Sequence, residues 1–239
     1  MSTPVTKEHD PVLARACVVI PMYNEAAVIG DVVRAVREQF GRVVCVDDGS
    51  SDGSPVLARA AGATVVRHPV NLGQGAALET GIRQALRDPE TQYVVTFDAD
   101  GQHSVDDAAA MVAAAEDLGV QVVLGSRFLG DMTGASGHRR ALLRMAVTFT
   151  RATTGMQLTD AHNGLRVLRR DAAERLRFRL HGMSHASEVL SLIAKRGWTY
   201  VEHPTTVTYT DYSRAKGQRG YNALNIVFDL AVNRLRAAS

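Results

Sequence analysis

QYVVTFDADGQH, residues 92–103, is an apolar run that ends abruptly in two aspartates. Val94, Val95 and Phe97 belong to a short, β-branched and aromatic segment bounded by polar residues, the pattern of a buried strand. Asp98 and Asp100 follow at i and i+2. Side chains alternate along extended chain, so this spacing turns both carboxylates, and Gln102 after them, to one side. Oxygen donors of this kind suit Mg²⁺ or Mn²⁺, which keep waters and share substrate phosphate oxygens. The competing reading of the same residues is a turn whose aspartates cap the next helix.

Similar runs lie on either side: ACVVI (16–20), RVVCV (42–46) and ATVVR (63–67) upstream, VQVVLG (120–125) downstream. Helical patterns fall between them, at 25–40, 75–87 and 105–117. In the first, Ala27, Ile29, Val32, Val33 and Val36 recur at helical spacing. Near-continuous apolar strands alternating with helices predict an α/β fold, a Rossmann-like, mostly parallel sheet covered by helices on both faces. Ligands of such sheets bind at the carboxyl ends of the strands, where four polar loops collect. Pro21, Tyr23, Asn24 and Glu25 follow the first strand, and VDDGSSDGS (46–54) closes the second. NLGQGAA (71–77) follows the third, and 98–103 the fourth. Asp48 is suited to accept hydrogen bonds from a base or ribose, while Ser50 to Asp52 reads equally as an Asx turn. The glycines of 71–77 let backbone approach a ligand, but the loop has neither the dinucleotide fingerprint nor a P-loop lysine.

The 239 residues, 46% hydrophobic and 22% charged, have the composition of an ordinary globular protein with a sizeable core. Residues 1–14 read as a polar tail, 15–210 as one domain, and 211–239 as a loop and amphipathic helix. Cys17 and Cys45 sit inside apolar runs and read as buried thiols. With no signal-peptide pattern at the start, the expected compartment is the cytosol. No run is long enough to span a bilayer, so membrane contact is expected only from the side, at the inner face of the plasma membrane. The net charge of +2 is uneven: residues 1–126 hold 9 Lys+Arg against 17 Asp+Glu, and residues 127–239 hold 18 against 8. An acidic half suits cations, and a basic half suits phosphates or an anionic surface.

VVIPMYNEAAVIGDVV, VDDGSSDGS, NLGQGAALETGI, FDADGQH, GSRF and TDAHNGLR occur in the order in which family 2 glycosyltransferases of the GT-A fold carry them. From about residue 17 to residue 170 the chain resembles that family, and within it the polyprenyl-phosphate sugar transferases of the dolichol-phosphate mannose synthase type. The resemblance implies that Pro21, Tyr23, Glu25 and Asp48 hold the nucleoside of a UDP- or GDP-linked sugar. It implies that Asp98, Asp100 and Gln102 bind Mg²⁺ or Mn²⁺, Asp98 also serving the nucleotide and Asp100 the catalysis. Arg127, with Arg139 or Arg140, would grip an acceptor phosphate. Asp160 would stand at the catalytic-base position, and Asn163 and Gly164 would line the sugar pocket. The loop that closes the site in mannose synthases is replaced here by YTDYSRAKGQ (209–218), where Arg214 and Lys216 are the available cations.

The implied reaction is an inverting transfer, and its acceptor decides whether a base is needed. A phosphate monoester, with a second pKa of about 6, arrives already ionised. A hydroxyl must lose a proton, which would make Asp160 essential. The basic second half and the apolar, arginine-bearing segments 138–152 and 221–238 favour a polyprenyl phosphate. Such segments read as amphipathic helices that lie on a membrane or pack against protein. A small membrane protein and a second copy of the chain are the further expected partners, and nucleic acid is not. The rival readings are a transferase to a saccharide, lipid or protein hydroxyl, and a catalytically silent nucleotide-sugar-binding protein.

Overall fold

The structure is a computed structural model that describes residues 10–133, 137–178 and 185–208, without the side chains of 131–133, 137–143 and 185. After a 3-10 turn at Leu13–Arg15, β1 (Ala16–Met22), α1 (Ile29–Arg37), β2 (Arg42–Asp47), α2 (Ser54–Ala60) and β3 (Thr64–Arg67) alternate. They are followed by α3 (Gln74–Ala85), β4 (Tyr93–Thr96), α4 (Val105–Leu118), β5 (Val122–Thr133) and α5 (Gly137–Thr154). β6 (Arg166–Arg169), α6 (Arg170–Ala173), α7 (His185–Arg196) and β7 (Tyr200–Thr208) complete the described chain.

The seven strands of the described residues form one sheet in the order β3-β2-β1-β4-β6-β5-β7. β6 alone runs antiparallel, pairing with both β4 and β5, and the other ladders are parallel. The expectation of a mostly parallel, helix-covered sheet therefore holds. Both faces are buried. Val18, Ile20 and Met22 of β1 join Ile29, Val33 and Val36 of α1 and Met111 and Val112 of α4 in one apolar layer. Cys17 and Val19 face the other layer, with Leu78 and Ile82 of α3 and Leu190 and Ile193 of α7. This two-sided burial is why β1 and β2 are apolar at nearly every position. Cys17 and Cys45 are free and buried, and burial pushes both thiols up to about 12.

The structure adds elements that periodicity did not suggest. β6 and β7 bring the sheet to seven strands rather than five, and β5 extends to Thr133, past the expected end at 125. The first helix starts at Ile29 rather than at residue 25, because residues 24–26 are tied into a loop described below. The segment 138–152 is helical within α5, as its pattern suggests. Residues 1–9 of the tail and the segment 221–238 lie outside the described residues. Among the described residues, no helix is long and apolar enough to cross a membrane.

The chain winds outward from β1 through β2 to β3, then returns to place β4 on the other side of β1. The crevice at such a reversal, beyond the carboxyl ends of β1 and β4, is the usual ligand position in an open α/β sheet. Because β6 is antiparallel, its beginning reaches that same rim and carries residues 158–165 with it.

Candidate active site

The loops after β1 and β2 are laced together by side chains acting as caps. Asn24 takes a left-handed backbone, φ 53°, which asparagine tolerates better than most residues. Its N–H donates to Ser50 Oγ at 2.9 Å, and its Oδ1 accepts from Ser51 N at 2.9 Å. Glu25 N donates to Ser54 Oγ at 2.7 Å, and Ala26 N to Asp52 Oδ2 at 3.1 Å. Ser54 N also donates to Asp52 Oδ1 at 3.0 Å, an Asx turn. Pro21 is buried in β1, Glu25 is buried just past it, and Tyr23 is exposed on the rim.

Asp48 is buried and occupied. Its carboxylate accepts from Leu72 N at 2.9 Å and Gly73 N at 2.8 Å, and His68 Nδ1 lies 2.8 Å away. Gly73 has φ 94°, a left-handed value that suits glycine. Asp48 thus ties the glycine loop to the end of β2. Asp47, fully buried beside it, pairs with Arg67 Nε at 3.0 Å and accepts from Ser50 N at 3.0 Å.

The carboxylates after β4 are held differently. Asp98 Oδ1 accepts from Gln74 Nε2 at 3.2 Å, and Asp98 Oδ2 lies 2.9 Å from Nε2 of the nearly buried His103. The His103 ring meets Phe97 edge-on, 5.5 Å between centroids. Asp100 accepts from Gln102 N at 3.1 Å, and the Gln102 carbonyl accepts from Thr208 N at 3.0 Å, which fastens this loop to β7. Burial, then the neighbouring charge of Asp98, push Asp100 up to about 6. Two carboxylates that repel each other at the mouth of a crevice fit a hard dication, which would relieve the repulsion. Among the described residues no group of three or more His, Cys, Asp or Glu could hold a metal. The chain therefore offers a partial donor set that fits Mg²⁺ or Mn²⁺, the remaining positions falling to water and ligand oxygens.

Arg127 and Asp160, expected in separate roles, are partners. Arg127 Nε and Nη2 donate to the two Asp160 oxygens at 2.6 and 2.8 Å, and Arg127 N adds a third bond at 3.1 Å. Both side chains are almost completely buried. Burial alone would raise Asp160, but the guanidinium and the backbone N–H groups of His162 and Arg127 outweigh it and hold the carboxyl below its usual range. Asn163 is held at both ends of its amide: its Nδ2 donates to Thr205 Oγ1 at 2.9 Å and its Oδ1 accepts from Leu165 N at 3.0 Å. The Gly164 carbonyl accepts from Thr96 Oγ1 at 2.7 Å. Arg139 and Arg140 fall on α5, but their side chains, like Arg214 and Lys216, lie outside the described residues.

Three contributors carry no local signal in the sequence. Glu202 of β7 accepts from Thr159 N at 2.8 Å and from Asp160 N at 3.0 Å, bracing the loop that carries Asp160. Arg166 of β6 is buried; burial lowers it to about 10, while Asp98 and Asp160 both favour its charge. His68 supports Asp48. Each becomes visible only when β6, β7 and β3 take their places.

The model of the family described as glycosyl transferase family 2 matches residues 17–177. An uncharacterized protein of Methanocaldococcus jannaschii, MJ1222, is 31% identical over 224 residues, covering 91% of each chain. The UDP-N-acetylglucosamine–dolichyl-phosphate N-acetylglucosaminyltransferase of Methanococcus voltae is 28% identical, over 83% of this chain and 88% of its own. The polyprenol monophosphomannose synthase of Mycolicibacterium smegmatis is also 28% identical, over 97% and 94%. Among solved structures, glucosyl-3-phosphoglycerate synthase of Mycobacterium tuberculosis, crystallised with Mn²⁺, UDP and glucosyl-3-phosphoglycerate, superposes with a TM-score of 0.67. The identity is 19%, and the match covers 89% of this chain and 77% of the other.

Proposed function

The chain belongs to glycosyl transferase family 2, has the GT-A fold and is a glycosyltransferase; from that premise we propose that it moves a sugar from a UDP- or GDP-linked donor to a polyprenyl phosphate, with inversion and with Mg²⁺ or Mn²⁺. The observation that carries the choice of acceptor is the Arg127–Asp160 pair. A carboxylate with both oxygens on a guanidinium, held below its ordinary pKa, is a poor proton acceptor. Such a site serves a nucleophile that arrives ionised, and a phosphate monoester does so near neutral pH. Two relatives that match over most of their length are named for dolichyl-phosphate and polyprenol chemistry, which supports the same acceptor.

In this reading the catalytic unit spans 15–210. Pro21, Tyr23, Glu25 and Asp48 form the nucleoside side, with Asp48 holding the 71–73 backbone in place. Asp98, Asp100 and Gln102 take the diphosphate side, and Asn163 and Gly164 the sugar. Arg127, Arg139, Arg140, Arg214 and Lys216 supply positive charge to the acceptor. A phosphate oxygen of the acceptor forms the new bond to the anomeric carbon as the bond to the donor diphosphate breaks and the nucleoside diphosphate leaves with the electron pair. No proton moves in that step. The cation, when bound, neutralises charge on the leaving diphosphate. Asp160 remains ionised and orients Arg127. The acceptor places the enzyme on the inner face of the plasma membrane as a peripheral protein.

The test is turnover with undecaprenyl phosphate in vesicles, a panel of UDP- and GDP-sugars, and Mn²⁺, Mg²⁺ or EDTA. Expected are a lipid-linked sugar, loss of turnover in EDTA, a rate that rises with the second phosphate ionisation, and partial activity in Asp160→Asn. Turnover confined to hydroxyl acceptors and abolished in Asp160→Asn would overturn the proposal.

A further inference from the structure

Gly164, two residues before β6, lies close against the Asp98 carboxylate. In the antiparallel ladder Thr96 of β4 stands opposite Arg166 of β6. Continuing that register two residues toward the rim sets Gly164 across from Asp98. The side-chain geometry agrees: a Cβ built on Gly164 would lie 2.3 Å from Asp98 Oδ2 and 2.8 Å from both Cγ and Oδ1. The whole carboxylate thus occupies the space that any other residue's Cβ would fill. Gly164 has no need of glycine for its backbone, since it is not among the positive-φ glycines. The close approach is what requires it. The carboxylate is also bonded by Gln74 Nε2 and lies against His103 Nε2.

We propose that Gly164 is a positioning residue for Asp98: by lacking a Cβ it lets the carboxylate lie across the start of β6, in the orientation from which it and Asp100 take a divalent cation. The inference rests on the reading of that pair as the cation site. It adds a role on the metal side to the place in the sugar pocket already proposed for Gly164. The physical consequence is selective. The Asp98 side chain is 32% exposed, so an intruding methyl can push it outward into solvent without moving the sheet. Gly164→Ala should then keep the fold and lose the site.

The experiment compares wild type, Gly164→Ala, Asp98→Ala, the double variant and Gly41→Ala, whose added methyl meets nothing within 4 Å. Each is titrated with UDP and with GDP, in MnCl₂ or EDTA, and unfolded in urea. Supporting groups around metal ligands typically set metal affinity by roughly 10–100-fold, and that loss of the Mn²⁺-dependent part of binding is expected for Gly164→Ala. EDTA-state binding and Gly41→Ala should be unchanged. The double variant should bind no more weakly than Asp98→Ala, because both changes remove one interaction. Should Gly164→Ala unfold, the double variant must fold again, since trimming Asp98 removes the clash. A Gly164→Ala protein with full Mn²⁺ dependence beside a defective Asp98→Ala overturns the inference, as do additive losses or a double variant that stays unfolded. Undiminished Mn²⁺ dependence in Asp98→Ala itself overturns the cation-site reading instead.

Discussion

Arg127 and Asp160 bury opposite charges against each other, and the worth of the pair depends on what replaces it. Removing one member leaves the other charged in a nearly dry site, which costs roughly 3–5 kcal/mol. Arg127→Met alone should lose stability on that scale. Arg127→Met with Asp160→Asn should lose less than the two single changes together, as urea unfolding of all three will show. The pH dependence has a definite sign. Asp160 sits below its ordinary value, so its contribution is fully present above about pH 3.9 and fades as pH falls through the lowered value. The stability gap between wild type and Asp160→Asn should therefore be flat from about pH 5 to 8 and close only in acid. A gap that closed near neutrality would show that the carboxylate titrates there and is available as a base.

At the scale of elements, the rim depends on how closely α3 lies on the sheet. Gly81 faces β1 and β2, and a Cβ there would stand 2.3 Å from Val19 Cγ1 and 3.1 Å from Val46 Cγ2. Alanine favours a helix over glycine by about 1 kcal/mol, but overpacking a close-fitted core costs about 1–3 kcal/mol. Both valines are fully buried in the centre of the sheet, so the clash should win. Gly81→Ala is expected to lower the urea midpoint, and a raised midpoint would show that α3 can lift off the sheet. Such a lift would also move Gln74, the first residue of α3, away from Asp98.

For the whole molecule, the carboxylates, the loops after β1 to β3 and the 158–165 segment meet only in the folded state. A nucleoside diphosphate with Mn²⁺ should therefore stabilise the fold by linkage, by about 2.7 kcal/mol at a hundredfold excess over its dissociation constant. Thermal unfolding with UDP or GDP, in Mn²⁺ or in EDTA, measures this. Equal midpoints in Mn²⁺ and EDTA for every nucleotide that binds would remove the cation from the site.

The five strands of residues 16–125 and three of the four helices between them were legible in sequence, while α2 (Ser54–Ala60) was not among the expected helices. Strands buried on both faces must be apolar almost throughout, and amphipathic helices must repeat near every third or fourth residue, so both patterns are written locally. The polar loops were legible for the same reason, since each interrupts an apolar run where a strand ends. β6 was not legible: RVLR offers two apolar residues between arginines and is a strand because β4 and β5 supply hydrogen bonds on both sides. β7 was hidden by Glu202, His203 and Pro204, and forms on the edge that β5 leaves open. The marriage of Arg127 to Asp160, the bracing by Glu202, and the seat of Asp98 against Gly164 were likewise decided by tertiary structure. Each joins residues separated by at least 33 positions, and the energy of such contacts exists only after the sheet has brought them together.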